Sequence, residues 1–161
     1  MNGLERARLL AVLVPAGLLA GAYGSQHLGG LTPCQMCYWQ RWPHFAALAL
    51  ALLSFAAMDR LPDRGRSLVW LAAAAILASG AIGAYHAGVE LGIFEGLTQC
   101  AGLGGGSGDT LRDILKAPLV RCDQVQWSLF GISMAGWNAI LSTGFALVIL
   151  WLSLRRPHIR T

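Results

Sequence analysis

What most constrains this chain is the recurrence of apolar runs close to bilayer-spanning length, at residues 9–28, 42–58, 68–89 and 134–154. About 30 Å of hydrocarbon takes around 20 helical residues, because a backbone without water must satisfy its own hydrogen bonds. The first run meets that length approximately and the second is short. Trp42 and Pro43 open the second run, where proline suits a first helical turn. Ser67 is a candidate N-cap for the third, and Arg155, Arg156 and Pro157 close the fourth. With 55% hydrophobic and 12% charged residues and a mean hydropathy of +0.54, the chain does not belong with soluble globules. The expectation is an all-α membrane protein, a four-transmembrane-helix bundle forming a single domain over residues 1–161.

Four spans place both termini on one side, and arginines indicate which. Arg6 and Arg8 precede the first span, Arg60, Arg64 and Arg66 separate the second from the third, and Arg155, Arg156 and Arg160 follow the fourth. Positive charge collects in the cytoplasm, so both termini are expected there. The outer loops then cover about 25–41 and 90–133. Residues 25–40 contain no Lys or Arg, whereas the second loop mixes Arg112, Lys116 and Arg121 with five acids. All four cysteines fall on the outer side. A cleaved secretory signal is the rival reading of residues 1–23, since Ala20-Gly21-Ala22 resembles a small-residue cleavage site. Cleavage would leave three spans and move one arginine cluster outside, against the charge bias. The net charge of +4 does not point to nucleic acid, because the basic residues lie in short clusters between apolar runs.

Cys34-Gln35-Met36-Cys37 is a C-x-x-C pair immediately before the second span. That spacing permits a small redox-active disulfide, and the helix N-terminus that follows favours a thiolate. Arg41, one turn beyond Cys37, would add positive charge and hydrogen-bond donors for a quinone carbonyl; the bland alternative is an anchor that snorkels to headgroups. Cys100 and Cys122 flank the glycine-rich stretch 101–109, which would let them meet. They read either as a structural staple or as a second exchanging pair. Zinc on all four cysteines is disfavoured, because the second pair lacks C-x-x-C spacing. Nor is 101–109 a phosphate loop, since no Gly-Lys-Ser/Thr follows it. Residues 109–116 suit a brief amphipathic helix on the membrane surface. Exchange alone conserves the number of disulfides, so a net oxidase needs an electron acceptor, and a lipid-soluble quinone beside Cys37 would serve.

Taken in order, Gln26-His27, Pro33-Cys34-x-x-Cys37, Arg41, His86, Cys100, and Cys122 followed by Trp127, Phe130 and Gly131 resemble the disulfide-bond formation protein B (DsbB) family of bacterial inner membranes. The match covers nearly the whole chain. The resemblance implies that Cys34 and Cys37 form the quinone-coupled pair, with Cys37 engaging the ring and Arg41 binding or polarising it. It implies that Cys100 is the sulfur attacked by a reduced periplasmic thioredoxin-fold oxidase (DsbA-like), and that Cys122 resolves the mixed disulfide and exchanges with Cys34. His86 is similar to a histidine near the quinone, which would be ubiquinone or menaquinone. The cysteine loops would face the periplasm.

Other polar residues carry less. Gln26 and His27 read as interfacial structure, His44 and His158 fit no pattern, and Glu90 and Glu95 read as solvated loop acids. Trp39, Trp42, Trp127 and Trp137 suit an interfacial belt, with Trp39 or Trp42 as possible walls of a quinone site. Two alternatives stand beside the oxidase. A vitamin K epoxide reductase-like protein would place its C-x-x-C after the loop cysteines, the reverse of the order here. A non-enzymatic scaffold would hold two structural disulfides that never cycle.

Overall fold

The computed structural model describes residues 2–96 and 121–155. Cys100, the glycine-rich stretch 101–109 and the segment 109–116 lie outside the described residues, as does His158. Among the described residues four helices dominate: α1 (Gly3–His27), α2 (Gln35–Ala56), α3 (Arg66–Glu90) and α4 (Met134–Leu154). A two-residue antiparallel ribbon, β1 (Ser128–Leu129) with β2 (Ile132–Ser133), stands before α4 and departs from the all-α expectation. Its turn residues Phe130 and Gly131 both have positive φ, the geometry that matches a tight hairpin to the strand twist.

Local caps explain where the helices begin. Asn2 and Glu5 form a reciprocal capping box that starts α1 six residues ahead of the apolar run. Cys34 caps α2 by accepting the Cys37 N–H on its sulfur at 3.3 Å. Helix α2 therefore begins well before Trp42, and Pro43 lies inside it rather than in its first turn. Ser67 is not the cap of α3. Gly65 holds that position in a left-handed conformation, and the Asp63 carboxylate accepts the N–H groups of Gly65 and Ser67 at 3.0 and 2.7 Å. Ser133 caps α4 by accepting the Gly136 N–H at 3.1 Å.

Helices α1, α3 and α4 are each long and apolar enough to cross a membrane. Helix α2 is not among them, because Gln40, Arg41 and His44 interrupt its N-terminal half. The four pack as a ring in which α2 and α4 each touch both α1 and α3. The centre is built mainly from small side chains, including Ala7, Ala11, Ala47, Ala51, Ala72, Ala73 and Ala146, while Leu13, Leu71, Leu147 and Trp151 face outward. This suits lipid, where close van der Waals approach rather than water exclusion holds helices together. Gly80 is one such contact, since a Cβ there would stand 2.8 Å from Thr143 Oγ1.

Candidate functional site

The cap that starts α2 also sets its chemistry. With Cys34 at the N-cap and Cys37 in the first turn, the two thiols face each other with sulfurs 2.8 Å apart. Two thiolates bound tetrahedrally to zinc at about 2.3 Å would stand about 3.8 Å apart. The observed separation thus fits a pair that closes to a disulfide better than a metal site, although a His86 nitrogen also lies within 4.8 Å of both sulfurs. The hydrogen bond to Cys37 and then burial push the Cys34 thiol up to about 12. Cys122 is buried in the same cluster, with Cys34, Met36 and Val89.

Cys34 and Cys37 form part of the wall of a cavity of about 510 Å³ at this end of the bundle, within the size range of small-molecule sites. Its other polar walls include Arg41, His44, His86, Glu90 and Asn138. Trp127 and Trp137 also line it, whereas Trp39 and Trp42 are not among its walls. Trp137 Nε1 donates to the Leu129 carbonyl at 3.1 Å, which ties the hairpin to α4.

Arg41 is buried and turned toward α1. Its guanidinium donates to Gln26 Oε1 at 2.7 Å and to the Ala22 carbonyl at 3.3 Å, and lies over the rings of Tyr23 and Tyr38. Gln26 therefore acts as a partner that orients Arg41. An arginine with five N–H donors retains capacity for a ligand carbonyl after these two bonds.

His86 comes from the last turns of α3, with Nε2 3.6 Å from Cys34 Sγ and Nδ1 2.8 Å from Gln40 Nε2. Glu90, one turn on, is not a solvated loop acid. Its side chain is 8% exposed, with one oxygen 3.9 Å from His86 Nε2 and the other without a hydrogen-bond partner among the described residues. His44 likewise belongs to a network, because its Nε2 meets Asn138 Oδ1 at 3.0 Å and Ser79 Oγ at 2.9 Å. The signal in sequence was polar residues inside an apolar run, which are costly in a membrane and therefore informative. Spacing alone did not connect them.

Residues 5–152 match the family model described as "Disulfide bond formation protein DsbB". A protein named "Disulfide bond formation protein B" from Marinobacter nauticus is 31% identical, covering 91% of this chain and 90% of that protein. One of the same name from Methylococcus capsulatus is 34% identical over 89% of this chain and 92% of its own length. "Disulfide bond formation protein B 2" from Pseudomonas syringae is 30% identical over 92% and 89% respectively. No solved structure matches the chain.

Proposed function

Because the chain belongs to the DsbB family, and is therefore a membrane disulfide oxidoreductase, we propose that it reoxidises a periplasmic thioredoxin-fold dithiol oxidase of the DsbA kind and passes the electrons to a membrane quinone. The DsbA–DsbB–quinone system is the known example of how a bacterial periplasm is kept oxidising. The reading includes four membrane crossings within one domain, cytoplasmic termini and cysteine loops facing the periplasm. The observation that carries it is the placement of Cys34 and Cys37 in the wall of a cavity, with Cys122 packed against them.

The chain's own steps are exchanges. A partner thiolate attacks Cys100, a new sulfur–sulfur bond forms there, and Cys122 leaves with the electron pair of the broken bond. Cys122 then attacks Cys34 in the Cys34–Cys37 disulfide, and Cys37 leaves as thiolate; burial of Cys122 beside Cys34 supports this order. The helix N-terminus favours negative charge on Cys37. Cys37, Arg41 and His86 would hold the quinone, whose flat ring suits a cavity walled by Trp127 and Trp137. When bound, the quinone accepts two electrons and two protons, so that two partner thiols become one disulfide.

The test is quinone reduction by purified protein given a reduced thioredoxin-fold partner, with wild type and Cys100→Ser compared. Turnover that requires Cys100 supports the relay. Absence of wild-type turnover across several quinones and partners would instead favour a scaffold with structural disulfides.

A further inference from the structure

The buried polar network beneath the thiols has a direction, and two backbone carbonyls fix it. Gln40 Nε2 lies 3.3 Å from the Met36 carbonyl and 2.8 Å from His86 Nδ1. A carbonyl only accepts, so the NH₂ end of the Gln40 amide must occupy this side. Asn138 is locked in the same way, since its Nδ2 lies 3.2 Å from the Ser79 carbonyl and 2.8 Å from Gln40 Oε1. Asn138 Oδ1 accepts from the Ser142 hydroxyl at 2.9 Å and from His44 Nε2 at 3.0 Å, so reversing either amide would set acceptor against acceptor. His86 Nδ1 consequently receives a hydrogen bond, and the proton of its neutral ring belongs on Nε2. That nitrogen faces Cys34 Sγ at 3.6 Å and Glu90 Oε1 at 3.9 Å, both acceptors, and the ring is also hydrogen-bonded to the Cys122 backbone.

We infer that Gln40 and Asn138 are positioning residues which hold His86 as the Nε2–H tautomer, making it a hydrogen-bond donor to Cys34. This rests on the proposed exchange reaction and deepens it. Cys122 attack leaves a Cys34–Cys122 disulfide, and once the partner's second thiol has freed Cys100, the Cys100 thiolate attacks Cys122, so that the Cys100–Cys122 bond forms and Cys34 leaves with the electron pair. The Nε2–H is already aimed at the atom where that charge develops. In this tautomer the ring stabilises the leaving thiolate and does not act as a base toward a Cys34 thiol.

The test is long-range proton–nitrogen NMR of ¹⁵N-histidine-labelled protein in nanodiscs, with His86→Phe used to assign the signal. Wild type should show a protonated Nε2 and a bare Nδ1. Gln40→Leu should abolish that preference and slow disulfide exchange at Cys34 about tenfold, the effect of one hydrogen bond to a charged group. Asn138→Ala keeps Gln40 but removes the donor that holds its oxygen, and should shift the tautomer in the same direction. A wild-type ring protonated on Nδ1 overturns the inference, as does a tautomer indifferent to both substitutions. Wild-type protein that shows Nε2–H yet reduces no quinone would sink the oxidase reading while supporting the assigned ring geometry.

Discussion

Cys34 and Cys37 are three residues apart but do not share an environment. Cys34 is buried against His86 and Cys122, whereas Cys37 is the less buried thiol, in the first turn of α2. Cys37→Ser should still permit mixed-disulfide capture of the partner at Cys100 while quinone reduction falls to background. Normal turnover in that variant, followed by quinone absorbance, would remove Cys37 from its role. Arg41→Ala breaks the bonds to Gln26 and Ala22 and should raise the apparent KM for quinone about tenfold, with the KM for partner unchanged. An unchanged quinone dependence would make Arg41 a structural tie between α1 and α2. The thiol pair was legible from C-x-x-C spacing, because its members are neighbours in sequence. Gln40 and Asn138 were not, since Gln40 meets His86 across 46 residues and Asn138 across 98. No one-dimensional period connects such partners.

At the level of the helix, hydropathy located the runs but not their ends. The fourth run coincides with α4, while α1 and α2 begin earlier because polar or sulfur-bearing residues cap them outside the apolar stretch. A cap is read from which N–H its side chain reaches, and hydropathy carries no record of that. Asp63, between α2 and α3, is a case with a measurable pH signature. Its bonds to the Ser67 and Gly65 backbones hold the carboxyl below the usual range. A depressed folded-state pKa contributes stability above the unfolded value of about 3.9, and that contribution disappears as pH falls through the folded value. Asp63→Asn should therefore unfold earlier than wild type at neutral pH, with the difference closing at a pH well below the ordinary carboxylate range. Thermal unfolding in detergent at the two pH values would read this, and a gap independent of pH would show that the Asp63 charge is not what stabilises the start of α3.

For the whole molecule, α2 stands apart, because its hydropathy does not match that of its neighbours. Its polar groups are turned inward: Gln40, Arg41 and His44 are buried, while Leu52, Leu53 and Trp42 are exposed. A helix whose polar side chains bond within the bundle presents an apolar surface to lipid whatever its average composition. Four apolar runs made the bundle legible in sequence, but that inward turn depends on partners in α1, α3 and α4. If α2 crosses, its two ends lie in different compartments. Leu28 just before it is 92% exposed, and Asp59 just beyond it is also exposed, so single cysteines at these positions in a variant with all four native cysteines replaced by serine can report on each side. A membrane-impermeant maleimide should label Leu28→Cys in intact spheroplasts and Asp59→Cys only after permeabilisation. Labelling of both from one side would mean that α2 does not cross, and would remove the four-crossing topology on which a periplasmic face for the cysteines depends.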